Sequence, residues 1–184
     1  MSLPRTSFAR ATLVLGGARS GKSRYGEGMI LDAKPSRPLY IATAQALDDE
    51  MAERIRRHRD NRVALWDTIE EPLDIVRVLE ANNGRATLVD CLTLWLSNLL
   101  HANKDLAAER SQLVATVAGI AGPVVLIANE VGLGIVPDNA LARRFRDEAG
   151  LLNQSLAQVC DRVVFLAAGL PLVMKDETGA APRD

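Results

Sequence analysis

The stretch Gly16-Gly17-Ala18-Arg19-Ser20-Gly21-Lys22-Ser23 fits the pattern G-x-x-x-x-G-K-[ST], and an apolar run, Thr12 to Leu15, stands directly before it. Glycines at these places let successive backbone N–H groups curl around anionic phosphates, while Lys22 adds a point charge toward the β and γ positions. Ser23 is placed to reach a magnesium ion. A helix starting near Lys22 turns its N-terminal dipole and unpaired N–H groups toward the same phosphates. A strand before and a helix after are the context this pattern requires, so a nucleoside triphosphate is the expected ligand and a chance glycine-rich turn the weaker reading.

Outward from the loop, strands and helices alternate. Ala11 to Leu15 reads as a central strand buried on both faces, followed by a helix from Lys22 to Asp32 that Lys34, Pro35, Ser36 and Pro38 break. Leu39 to Thr43 is a second strand, and its small terminal residues leave room for a ligand. Acidic residues Asp48 to Glu50 signal a helix to Arg59, with arginines crowding one side. Ala64 to Ile69 suits a strand, Pro72 opens a helix that Asn82-Asn83-Gly84 ends, and Ala86 to Asp90 is a strand closing on a carboxylate. Leu92 to Leu100 and Ala107 to Ala121 are expected helices, Val124 to Ala128 a buried strand closing on Asn129-Glu130. A loop with Gly132, Gly134 and Pro137 leads to a helix with apolar positions 141, 145, 149, 152, 156 and 159. Arg162 to Ala167 is the last expected strand. This order implies an α/β fold with a doubly wound, mostly parallel sheet, whose ligands sit beyond the carboxyl ends of the strands. That rule gathers the phosphate loop, Ala42 to Ala44, Asp90 and Asn129-Glu130 at one edge.

The 184 residues, 48% of them hydrophobic, suit a single domain with its own core, spanning 1–184 with loose tails at 1–10 and 175–184. A formal net charge of -1, with both signs dispersed, offers no basic stripe for nucleic acid. Cys91 and Cys160 lie in apolar surroundings and read as reduced, buried thiols. No apolar stretch reaches membrane-spanning length and no secretory signal opens the chain, so a cytoplasmic enzyme is expected.

Phosphoryl or nucleotidyl transfer needs a metal anchor beside the phosphate loop, commonly an acidic residue at the end of a buried strand. Asp90 fits; Glu130 competes, and either carboxylate could instead cap the following helix. Cys91 reads as core, since it shows no local sign of an activated thiolate. His101 suits a helix C-terminus. His58 stands beside Arg56, Arg57, Arg59 and Arg62, a setting for an anionic ligand or simply a solvated helix face with a half-buried imidazole. A neutral imidazole is also capable of attacking phosphorus covalently, with arginines neutralising charge there.

Several segments in order make the chain resemble the bifunctional adenosylcobinamide kinase / adenosylcobinamide-phosphate guanylyltransferase family of cobalamin biosynthesis. They are Gly16 to Arg24, Tyr40 to Ala44, Asp48 to Met51 with Arg54-Ile55 and His58, and Asp90 to Trp95. Asn129 to Gly132, Gly134 to Pro137, Leu141 to Arg143 and Phe145 to Asp147 complete the set. The resemblance implies a P-loop domain similar to RecA-type folds and two reactions. In one, ATP or GTP phosphorylates the aminopropanol hydroxyl of adenosylcobinamide. In the other, a histidine attacks the α-phosphorus of GTP, releases pyrophosphate and passes GMP to adenosylcobinamide phosphate. The position matching that histidine is His58. Nucleotide contacts carried over by the resemblance fall on Gly16, Gly17, Ala18, Arg19, Ser20, Gly21, Lys22 and Ser23. They continue on Ala42, Thr43 and Ala44, on Arg59, Asp60, Asn61 and Arg62, and on Glu70 and Asp90, with Ser23 and Asp90 holding Mg2+.

The implied partners are the corrinoid substrate and, through trimer assembly, further copies of the chain. Two departures stand out: Arg57 precedes His58 where some members carry a second histidine, and Leu151 stands where arginine is common. Neither removes a group the chemistry needs. The competing readings are a small-molecule kinase without the covalent guanylyl step, and a nucleotide-gated interaction module.

Overall fold

A computed structural model describes residues 9–45 and 65–178 of the chain. The elements in chain order are β1 (Ala11–Gly16), α1 (Lys22–Asp32), β2 (Leu39–Ala42), β3 (Asp67–Glu70) and α2 (Ile75–Ala81). There follow β4 (Thr87–Asp90), α3 (Leu92–His101), α4 (Leu106–Gly119), β5 (Val124–Asn129), α5 (Ala140–Val159), β6 (Arg162–Ala167) and β7 (Leu170–Asp176). The strands form one seven-stranded sheet in the order β3-β2-β4-β5-β1-β6-β7, parallel throughout except for the antiparallel edge pair β6–β7. From β1 the chain crosses to β2 and β3 at one edge, returns through β4 and β5, and passes to β6 and β7 on the other side, and with helices on both faces this is the doubly wound, mostly parallel arrangement expected of alternating strands and helices.

Every residue of β1 is buried, and β5 is buried up to Ala128, which is why their side chains form uninterrupted apolar runs. Two cores result. On one face Leu13, Leu15, Ile41, Val89 and Leu126 pack against α2, α3, α4 and α5 through residues such as Leu79, Trp95, Leu113 and Leu156. On the other, Val14, Tyr40, Leu88, Val125 and Ile127 pack with Ile30 of α1. Helix α1 comes very close to the sheet at Gly26, where a Cβ would stand 3.1 Å from Ile127 Cδ1 and from Val125 Cγ1. A side chain there would have to push the ends of Ile127, Val125 and Leu88 aside by a few tenths of an ångström.

Four expectations need correction. The loose tail expected through residue 10 does not include Arg10. Its guanidinium donates to the carbonyls of Val117 (2.6 Å), Ala118, Ile120 and Val159 and pairs with Asp161, tying the start of β1 to the ends of α4 and α5. The tail expected from 175 begins later, because Lys175 and Asp176 belong to β7 and Lys175 Nζ donates to the carbonyls of Ala157, Gln158 and Cys160. Strand β7 itself was not expected; it follows a two-residue turn in which Ala168 (φ 52) and Gly169 (φ 77) are both left-handed, the conformation that folds a strand back on its neighbour. Helix α2 starts at Ile75 rather than at Pro72, since the carboxylate of Asp74 caps the N–H of Arg77. The helix expected over Asp48 to Arg59 lies outside the described residues, and the strand expected from Ala64 is described from Asp67.

Candidate active site

Because β1 to β6 run parallel, Gly16, Ala42, Glu70, Asp90 and Asn129 all end strands at one edge of the sheet. Ala42 is in register with Glu70 on one side and Asp90 on the other, while Gly16 is in register with Asn129 and Leu166. The phosphate loop leaves from β1, between β5 and β6, beyond the carboxyl ends of the strands, where open α/β sheets hold ligands.

The loop's glycines have specific work. At Gly16 the backbone (φ 155) passes so near β6 that a Cβ would collide with the Leu166 carbonyl and lie 2.8 Å from Ser20 Oγ. Gly21 is left-handed (φ 95, ψ 7) and provides the N-cap of α1 without a side-chain cap, so the first N–H groups of the helix keep their capacity for an anion. Gly169 N donates to Ser20 O at 3.1 Å, so the β6–β7 turn braces the loop from outside. Ser20 Oγ is buried with no hydrogen-bond partner among the described residues. Gly17 is half-buried, Ala18 and Arg19 are exposed, and Ser23 is half-buried on the first turn of α1.

Lys22 is 8% exposed and donates from Nζ to Gly17 O at 2.7 Å, its ammonium spanning the loop it belongs to. Burial lowers its pKa; the negative charge of Asp90 opposes that shift. An anion bound in the loop would compensate the same buried charge.

Asp90 closes β4 half-buried, and its Oδ2 accepts a 2.7 Å hydrogen bond from Tyr40 Oη, which fixes the carboxylate toward the loop side of the sheet end. Tyr40 in turn meets Trp66 edge-on at 5.6 Å between ring centroids. Sequence reading singled out Asp90 but gave Tyr40 no role; a tyrosine inside an apolar strand, two residues before the strand's end, was the available signal. The thiol of the next residue, Cys91, is pushed up to about 11, first by burial and then by Asp90, so it stays protonated and behaves as core.

Thr43 is fully buried. Its hydroxyl donates to Cys91 O and accepts from Cys91 N, both at 2.8 Å, while Thr43 O accepts from Asn98 Nδ2 at 2.8 Å. It therefore locks the ends of β2 and β4 together, with Ala42 and Ala44 half-buried on either side. Thr93 Oγ1 accepts from Asn129 N at 2.7 Å, binding β5 to the N-terminus of α3. Glu130 N donates to Gly16 O at 3.1 Å, so the Glu130 loop and the phosphate loop depart from one point. Glu70 lies exposed at the end of β3, and His101, with Nδ1 2.7 Å from Ser97 O, ends α3 on the surface. His58, Arg59, Asp60, Asn61 and Arg62 lie outside the described residues.

A magnesium ion takes one or two protein oxygens and completes its shell with phosphate and water. The oriented Asp90 carboxylate and the Ser23 hydroxyl at the helix start fit that requirement. Among the described residues no helix is long and apolar enough to cross a membrane.

The chain matches the family model described as cobinamide kinase / cobinamide phosphate guanyltransferase over residues 12–174. It is similar to a Pseudomonas aeruginosa protein named bifunctional adenosylcobalamin biosynthesis protein CobP, with 50% identity across 90% of this chain and 97% of the relative. Similar too are proteins named bifunctional adenosylcobalamin biosynthesis protein CobU from Salmonella typhimurium (44% identity) and Escherichia coli (42%). Each of these two alignments covers 89% of this chain and 98% of the relative.

Proposed function

The chain belongs to the cobinamide kinase / cobinamide phosphate guanyltransferase family and is an enzyme of that bifunctional kind, and from that premise we propose how its residues divide the two reactions. One nucleotide site serves both. In the kinase step ATP or GTP lies with its phosphates in the Gly16–Ser23 loop, and Lys22 exchanges its bond to Gly17 O for the β and γ oxygens. The substrate hydroxyl oxygen attacks the γ-phosphorus, the bond to the β–γ bridging oxygen breaks, a nucleoside diphosphate leaves and the hydroxyl proton is released. Backbone N–H groups at the start of α1 and the Lys22 ammonium stabilise the charge on the departing phosphates. Magnesium held by Ser23 and Asp90 would supply further neutralisation of that charge, with Tyr40 keeping the Asp90 carboxylate turned toward it.

In the guanylyl step His58 is the nucleophile. Its neutral imidazole nitrogen attacks the α-phosphorus of GTP, pyrophosphate leaves, and a phosphate oxygen of cobinamide phosphate then attacks the same phosphorus. The phosphorus–nitrogen bond breaks, GMP is transferred and the imidazole is restored. Arg59 and Arg62 neutralise the α-phosphate, and Asp60, Asn61, Glu70 and Ala42 to Ala44 complete the nucleotide contacts. The supporting observation is the common edge that carries Gly16, Ala42, Glu70 and Asp90 around a buried, charged Lys22. The adenosylated corrinoid is the proposed acceptor in both steps.

The test is chemical. Protein incubated with GTP labelled at the α-phosphate should retain acid-labile, alkali-stable label, as a phosphorus–nitrogen bond requires. His58→Ala should abolish it. Retention by the variant removes His58 as nucleophile, and absence of label from the wild type with γ-label still reaching cobinamide selects a kinase without the covalent step.

A further inference from the structure

The loop between β5 and α5 holds apolar side chains out into solvent beside the nucleotide site. Leu133 is 82% exposed, Ile135 98% and Val136 61%. Three such side chains within four residues make an apolar patch rather than a single exposed residue. Here the backbone is pinned at three places. Glu130 N is bonded to Gly16 O, Glu130 Oε1 accepts from Gly132 N at 2.5 Å, and the Arg143 guanidinium donates to Pro137 O (2.9 Å) and Asp138 O (2.7 Å). Asn139 then caps α5 through Ala142 N. The apolar tip therefore stands between two anchored flanks at the edge of the sheet that carries the phosphate loop.

Within the loop itself the charged side chains are acidic, while the Arg143 guanidinium of α5 faces its base at Pro137 and Asp138. From Glu130 to Asn139 the chain carries two acidic side chains, Glu130 and Asp138, and no lysine or arginine. We propose that Leu133, Ile135 and Val136 form the platform for the corrin ring of the acceptor, an inference that rests on the cobinamide reading above. An alkylcobalt(III) corrin is a broad, apolar-faced macrocycle with a net positive charge, so it suits an apolar ledge flanked by carboxylates. Its aminopropanol arm then extends toward Gly16 and the γ-phosphate, which places the reacting hydroxyl near the nucleotide while the ring remains outside the sheet.

The experiment compares the wild type with the double variant Leu133→Ser/Ile135→Ser, using cobinamide as acceptor and γ-labelled nucleotide as donor. Losing two apolar contacts should raise the KM for cobinamide about tenfold or more, with kcat and the KM for nucleotide within about twofold of wild type. Retention of label from α-labelled GTP reports that the nucleotide site is folded, and Leu133→Met/Ile135→Leu should restore the corrinoid KM. An unchanged corrinoid KM overturns the platform, as does a change of sedimentation coefficient without a change of KM, which would make the ledge a contact between copies. A wild-type protein that takes label from GTP yet phosphorylates no cobinamide overturns the underlying reading of the reaction, and the platform with it.

Discussion

The two ends of the sheet treat polar groups in opposite ways. At the amino ends of the parallel strands, Arg10 and Lys175 between them engage seven backbone carbonyls, and Asp161 accepts from the N–H groups of Arg10 and Ala11 as well as from the Arg10 guanidinium. At the carboxyl ends, α1 begins on a glycine without a side-chain cap, Ser20 Oγ is buried without a partner among the described residues, and an ammonium is buried against a single loop carbonyl. One end closes helix termini with side chains of the chain itself; the other leaves equivalent groups to the phosphates of the proposed function. Stability and function are thus separated along the strand direction, and substitutions at the two ends should separate in the same way.

The widest separation is expected for Lys22→Met. Phosphoryl transfer should fall about a thousandfold, because a charge aimed at the transferring phosphate is lost, while the urea midpoint should not drop, since a desolvated ammonium is replaced by an apolar chain of similar volume. Arg10→Met should do the reverse. Freed helix-end carbonyls and an unpaired Asp161 should cost about 3 kcal/mol of unfolding free energy, seen in urea melts, with kcat at 25 °C within about twofold of wild type. Tyr40→Phe tests whether the Asp90 carboxylate needs its hydroxyl partner: kcat should fall about tenfold, as expected for loss of an orienting charge-assisted bond, with the melting temperature nearly unmoved.

The smallest effect concerns Asp176, whose pKa is lowered to about 2, first by the Thr178 hydroxyl at 2.7 Å and then by Arg162. A carboxyl depressed in the fold stabilises it above the pKa of the unfolded chain, about 4, and that contribution disappears as pH falls through about 2. Wild type should therefore exceed Asp176→Asn in stability at pH 7 by less than about 1 kcal/mol, given the exposure of the pair, and the two should converge near pH 2. Equal stability at both pH values would show that the pair contributes nothing.

The functional end was the more legible one. Its signals are local: a glycine spacing, a lysine, a carboxylate closing an apolar run, each readable because the chemistry needs particular residue types at fixed offsets. At the stabilising end Arg10 depends on partners more than a hundred positions away, such as Val117 and Asp161, and Lys175 on carbonyls 15 to 18 positions back, and no periodicity announces either. Strand β7 escaped for a different reason. Most of its side chains are exposed and Pro171 interrupts it, so it lacks both the alternation of a half-buried strand and the continuous apolar run of a central one. Tyr40 was hidden by its own strand, where it reads as core until Asp90 is placed beside it.

In the proposed scheme one phosphate loop presents the γ-phosphorus for one reaction and the α-phosphorus for the other. GTP carrying distinguishable labels at the two positions tests it in a single incubation with cobinamide. Wild type should place γ-label in cobinamide phosphate and α-label first on protein and then in the guanylylated corrinoid, His58→Ala should lose only the α-label, and Lys22→Met should lose both. Full α-labelling of the Lys22→Met protein would contradict the account, because guanylyl transfer would then draw its nucleotide from somewhere other than the loop.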